Sequence, residues 1–187
     1  MASLIANCLL LLAAVTFVSA QDCPPYWSIS GDFCLQFFKE PLTWQEAQGT
    51  CARFASCSTG ASASLVKITE QSMNDRLNIF LGLKSDPIAD VWIGLNDVQV
   101  EGQYKWADGT PSTQYPYKNF AAGEPNGNSM NGQPADCFQR SGATGTWSDE
   151  ACGQASPFVC QMVRRIPAVP AVPAVPANPA APPPPRI

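Results

Sequence analysis

Glu124-Pro125-Asn126 sets a carboxylate and a carboxamide on either side of a proline, and Trp147-Ser148-Asp149 follows it between Cys137 and Cys152. X-Pro is the peptide bond that takes the cis form at low cost, and that form would aim the Glu124 and Asn126 side chains together. A hard cation suits such a pair, because calcium takes roughly six to eight oxygen ligands and accepts irregular geometry. The tripeptide alone is also a common surface turn. Its surroundings carry the reading: Trp92-Ile93-Gly94-Leu95 lies upstream, and Cys160 is the last cysteine of the chain.

Taken in order, these cysteines, the Trp92 segment, the Glu-Pro-Asn stretch and the Trp147 segment resemble the C-type lectin-like domain, from about Cys23 to Cys160. The resemblance implies an α+β fold with two helices, antiparallel sheets, a long loop region and three disulfides. The pairs it implies are Cys23–Cys34, Cys51–Cys160 and Cys137–Cys152. Cysteine arithmetic alone leaves many pairings open. Cys57 is left over in the small-residue stretch Ser56-Cys57-Ser58-Thr59-Gly60-Ala61-Ser62. An intermolecular bridge, an unpaired thiol and an exchange with Cys51 all remain open for it.

The first twenty residues bear no charged side chain, hold an apolar run from Leu9 to Val18, and end in Val18-Ser19-Ala20. That pattern reads as a secretory signal over 1–20, with Gln21 as the mature start. The run is too short to span a bilayer comfortably. Of eight cysteines, Cys8 leaves with the signal, and an exported chain favours disulfides among the other seven. Fifteen acidic and eight basic residues lie between Gln21 and Val163, a net of −7, which Arg164, Arg165 and Arg186 bring to −4. An acidic domain disfavours nucleic acid and anionic membranes as partners and suits cation-rich ones.

Within the domain, 21–163, Cys34-Leu35-Gln36-Phe37-Phe38 reads as a strand pairing with what precedes it. Thr43-Trp44-Gln45-Glu46 has the form of a capping box, and the helix it starts is expected to run to about Phe54. A second helix is expected from near Thr69-Glu70, with Met73, Leu77, Phe80 and Leu81 at core-facing spacing. Trp92 and Ile93 read as core. The segment 109–133 has turn formers and no periodicity, and a loop that long in a compact domain is usually functional. Beyond Val163, a Pro/Ala-rich tail over 164–187 repeats proline every third residue from Pro167 to Pro182. Polyproline II has about three residues per turn, so the tail is expected to be an extended arm, a spacer or a self-association element.

Histidine is absent, which removes the commonest general base and a common zinc ligand. With no phosphate loop or nucleophile elbow either, the chain reads as non-enzymatic. The family resemblance implies a principal calcium ligand set in which Glu124, Asn126 and Asp149 match, while Ala135 and Ser148 replace two ligands. It implies an auxiliary set at Asp97, Glu101 and Asp136, with Gly127 where another acid often lies. Affinity follows ligand charge and count, so calcium is expected to bind weakly, in the millimolar range if at all.

The secretory signal, acidic domain and Pro-rich tail together resemble the spicule matrix proteins of echinoderms. This implies a secreted, extracellular-matrix protein of a calcium carbonate biomineral, partnered by the mineral and other matrix proteins, with self-association through the tail or Cys57. The alternative is a soluble, calcium-dependent lectin of mannose-type preference. A carbohydrate-independent protein-binding module is a third reading.

Overall fold

The structure is a computed structural model, and it describes residues 23–55, 60–85, 87–129 and 131–164. The expectations for the signal, for Cys57 and for the tail beyond Arg164 lie outside those residues.

The elements run β1 (Ser28–Ser30), β2 (Phe33–Leu42), α1 (Trp44–Cys51), β3 (Ser64–Leu65), α2 (Gln71–Gly82), β4 (Val91–Asn96), β5 (Lys105–Trp106), β6 (Cys137–Arg140), β7 (Trp147–Glu150) and β8 (Ser156–Val163). Their sheet follows the order β1-β2-β8-β4-β6-β7, with β3 beside β8 and β5 beside β4. Most pairs are antiparallel, including β1 with β2, but Trp92 of β4 meets Phe158 of β8 in parallel. This join links the terminal strands to the loop-bearing hairpin. The two helices, the sheet and the three disulfides make up the C-type lectin-like fold.

Helix α1 starts as its sequence dictates. The Thr43 hydroxyl accepts from the Glu46 N–H, and the Glu46 carboxylate accepts from the Thr43 N–H at 3.1 Å, closing the capping box. The helix ends at Cys51, short of the expected Phe54. Cys51 is disulfide-bonded to Cys160 on β8. The next two residues tighten into i→i+3 bonds, Arg53 N–H to Thr50 O and Phe54 N–H to Cys51 O. Phe54 then leaves the helix line to meet the Trp27 and Phe38 rings. Helix α2 buries Met73, Leu77, Phe80 and Leu81 as its periodicity requires, and its N-cap is Glu70.

Strand β4 is the centre of the core. Val91, Trp92, Ile93 and Leu95 are fully buried, as expected for a strand covered on both faces. The Trp92 indole N–H reaches Leu42 O and the Trp44 indole N–H reaches Ile93 O, each at 2.9 Å, so both heteroatoms are satisfied. Gly94 interrupts this bulky run for a steric reason. A Cβ there would lie 2.9 Å from Leu65 O and 3.3 Å from the Ala107 Cβ, so β4 can lie against β3 only without one. In that approach Gly94 N–H donates to Val66 O at 2.8 Å.

The long segment after Gly109 carries one short 3-10 helix, Ser112–Gln114, and is otherwise held by contacts instead of regular structure. Trp147 N–H donates to Asn119 O, Ala121 N–H donates to Trp147 O, and the Phe120 and Tyr117 rings pack edge-on against Trp147. Aromatic packing thereby fixes the segment against β7 and fixes the position of Glu124 beside it.

Candidate functional site

The β6–β7 hairpin supplies the rigid side of the site. Phe138 faces Asp149 across the ladder and Cys137 faces Glu150, with Cys137 tied to Cys152 just beyond. Strand alternation turns Trp147 and Asp149 inward and leaves Ser148 and Glu150 half-buried. The loop side is Glu124-Pro125-Asn126, whose Glu124–Pro125 bond is cis.

The two sides are joined by hydrogen bonds from the loop backbone to Asp149. Asn126 N–H donates to the Asp149 carboxylate at 3.1 and 3.2 Å, and Gly127 N–H donates to Oδ2 at 2.6 Å. The Asn126 amide Nδ2 donates to both Glu124 oxygens at 2.9 and 3.0 Å, while its Oδ1 accepts from Asn128 N–H at 2.8 Å. The Glu124 carboxyl lies within hydrogen-bond reach of Asp149. That neighbour, with some desolvation, pushes Glu124 up to about 7. Two carboxylates this close disfavour each other's ionisation.

The auxiliary set sits beside them. Asp97 is buried, its Oδ2 accepts from Gly102 N–H at 2.8 Å, and its Oδ1 has no hydrogen-bond partner among the described residues. Burial pushes the Asp97 carboxyl up, and the charges of Glu101, Asp136 and Asp149 add to that. Asp97 N–H bonds to Asp136 O, and Glu101 Oε1 would lie 3.7 Å from a Cβ on Gly127. All six expected acid and amide positions therefore gather on one loop face. Gly127 has a φ of +72°, so an acidic side chain at that position would strain the turn, although its Cβ would make only ordinary contact with Glu101.

Two positions of the expected principal set carry no matching ligand. Ala135 is buried and carries no ligand, and Ser148 offers a hydroxyl in place of a carbonyl-type oxygen. The retained oxygens of Glu124, Asn126 and Asp149 already accept hydrogen bonds from the loop. Among the described residues no cluster of three or more Asp, Glu, His or Cys side chains is placed to hold an ion.

Exposure sorts these acids, together with the loop-region carboxylates Asp108 and Glu150 that the sequence also offers for mineral contact, differently from their sequence pattern. Asp97 and Asp149 are each only 4% exposed, so neither presents its carboxylate at the surface. Asp108 is taken up by Lys67. Glu101 is exposed, while Glu124, Asp136 and Glu150 are partly so. Glu150 lies outside the expected ligand set, yet it stands beside the pair, and burial with the Asp149 charge pushes its carboxyl up. Tyr104 is a residue the pattern did not indicate: its ring packs on Phe138, and the neighbouring acids add to the desolvation that raises its hydroxyl.

Residues 40–162 match the family described as the lectin C-type domain, and the chain belongs to that family. Echinoidin of Heliocidaris crassispina is 31% identical over 147 residues, covering 75% of this chain and 96% of its own. The α-N-acetylgalactosamine-specific lectin of Patiria pectinifera is 28% identical over 165 residues, covering 84% of this chain and 95% of its own. Among solved structures, the C-type lectin CEL-I from Cucumaria echinata superposes with a TM-score of 0.66 at 25% identity, over 75% of this chain and 97% of its own. These relatives are named as lectins, not as enzymes. No helix among the described residues is long and apolar enough to cross a membrane.

Proposed function

We propose that this chain is a secreted, non-enzymatic C-type lectin-like matrix protein that adheres to a calcium carbonate mineral and contributes to a mineralised skeleton. The observation that carries the reading is the loop face. It gathers carboxylates and leaves Glu101, Glu124, Asp136 and Glu150 at least partly exposed, while Ala135 and Ser148 stand at two expected ligand positions. A lattice rich in calcium would supply the cations that the face itself does not enclose. The net of −7 between Gln21 and Val163 adds long-range attraction, though salt screens it beyond about 8 Å at physiological ionic strength. Adhesion must then come from short-range carboxylate contacts.

In this reading residues 1–20 direct export, 21–163 form the adhesive domain, and 164–187 with Cys57 promote assembly with other copies and other matrix proteins. Bound calcium in solution is weak. The second reading, a calcium-dependent carbohydrate-binding lectin of mannose-type preference, is favoured by the meeting of Glu124, Asn126 and Asp149 at one point and by the lectin relatives.

Retention on calcite and on a mannose resin separates the two. The expected result is adsorption to calcite above that of an unrelated protein of equal charge, with no chelator-sensitive retention on mannose. Truncation after Val163 is expected to leave calcite adsorption intact and to reduce self-association in light scattering. Mannose retention that calcium supports and chelator abolishes, without calcite preference, would replace the mineral reading with the lectin one.

A further inference from the structure

The described chain leaves strand β8 at a groove on the far side of the sheet from β7. Arg164 N–H donates to Asp32 O at 2.9 Å, and the Arg164 guanidinium donates to Gly31 O at 3.3 Å. Gly31 belongs to the β1–β2 turn, which forms one wall of a groove of about 320 Å3; helix α2 forms the other. The groove collects three of the large exposed apolar side chains: Ile29 at 55%, Ile79 at 67% and Leu83 at 80% exposure. Apolar side chains scattered singly need no explanation, but several in one concavity mark a binding surface. At its end, Arg76 packs over Gly31, and the Arg76 Nε–H is buried with no acceptor among the described residues.

We infer that this groove is the seat of the chain's own tail, with Ile166 and Val169 packed between Ile29, Ile79 and Leu83. Reach permits it without a linker. Ile166 is two residues beyond Arg164, at most about 7 Å of chain. The chemistry also fits. Ile166, Val169, Val172 and Val175 recur every third residue, and no charged side chain lies between Ile166 and Pro185. At about three residues per turn and roughly 3.1 Å per residue, those branched side chains would share one edge of a polyproline II helix about 9 Å apart. Along α2, Arg76 to the helix end at Gly82 covers about 9 Å. The groove therefore takes two successive edge residues and no more, which selects the first two and leaves the later repeats free for other copies. Polyproline II leaves its backbone carbonyls without internal hydrogen bonds, so one of them supplies the acceptor that Arg76 Nε lacks. Because the segment is tethered at the rim of its own groove, its effective concentration there exceeds that of a second copy at ordinary protein concentration.

The test uses the full mature chain. Methyl NMR of Ile29, Ile79 and Leu83 would be compared between the unsubstituted protein and Ile166→Asp with Val169→Asp. The expected result is a shift of these methyl signals in the variant, with core methyls such as Ile93 unmoved, and no change when the unsubstituted protein is diluted tenfold. As a reciprocal check, Leu83→Glu, a change at an exposed position that leaves the core intact, should speed tryptic cleavage after Arg165 several-fold. Unmoved groove methyls in the tail variant, or an unchanged cleavage rate in Leu83→Glu, would overturn the docking. Methyl shifts that disappear on dilution would overturn the intramolecular seat and assign the groove to the tail of a second copy.

Discussion

Neutralising the four outward carboxylates, by Glu101→Gln, Glu124→Gln, Asp136→Asn and Glu150→Gln, tests whether adhesion belongs to the loop face or to charge in general. The change takes the net charge of 21–163 from −7 to −3. A matched control, Asp32→Asn, Glu40→Gln, Glu70→Gln and Asp75→Asn, removes the same charge from exposed positions elsewhere. Both variants lose the long-range term equally, and at physiological salt that term is confined to about 8 Å. Only the first loses the close contacts.

An exposed carboxylate facing a cation contributes about 0.2–1 kcal/mol, so four together contribute about 1–4 kcal/mol. At about 1.4 kcal/mol per factor of ten, the loop variant should lose roughly fivefold to several hundredfold in adsorption constant on calcite. The control should lose less than about twofold. Adsorption isotherms at about pH 8 keep Glu124 ionised, since its carboxyl is pushed up only to about 7. Thermal unfolding of both variants would confirm that the fold is intact. Equal losses in the two variants would refute the reasoning, because adsorption would then follow net charge and the loop face would have no part in it.

Gly94→Ala should destabilise the domain by about 1–3 kcal/mol in urea unfolding, because the new methyl meets the Leu65 carbonyl at 2.9 Å; a change under about 0.5 kcal/mol would show that β3 and β4 part freely. Removing the Cys51–Cys160 bridge by Cys51→Ala with Cys160→Ala, which opens a loop of 109 residues, should cost about 2–5 kcal/mol in the same assay. Isothermal titration with calcium should show no micromolar site. Restoring the two missing ligands by Ala135→Glu with Ser148→Asn should strengthen binding by roughly tenfold or more, and an unchanged isotherm would mean that the loop cannot admit an ion.

Much of this fold is legible in local pattern because the pattern has one physical cause at each point. The capping box starts α1 through two reciprocal hydrogen bonds, and the spacing of Met73, Leu77, Phe80 and Leu81 is the buried stripe of α2. The α1 terminus was not legible, since it is set by a disulfide to β8 and by the Trp27 and Phe38 rings, all distant in sequence. The site divides in the same way. The order of motifs named acids that the structure brings onto one loop face, but their exposure could not be read from it. Asp149 alternates inward with Trp147 on β7, and Asp97 sits where β4 passes into its loop, so the carboxylates nearest the centre of the site are the least available at its surface.

That burial lets Asp149 hold the loop face from within. Asp149 accepts the backbone N–H groups of Asn126 and Gly127, the work a bound cation would otherwise do by drawing the same loop onto β7. A carboxylate taking several backbone N–H bonds is a charge-assisted clamp, stronger than an equal number of neutral hydrogen bonds. Trp147, one turn of the pleat away, anchors the segment from the other side through Asn119 and Ala121. The Asp149 clamp and the Trp147 contacts thus hold the loop against β7 from both sides. A face built in this way can lose an ion ligand at Ala135 and at Ser148 and still present Glu101, Glu124, Asp136 and Glu150 in a fixed arrangement. Ion capture and carboxylate display are separable properties of one scaffold, and this chain retains the geometry that display requires.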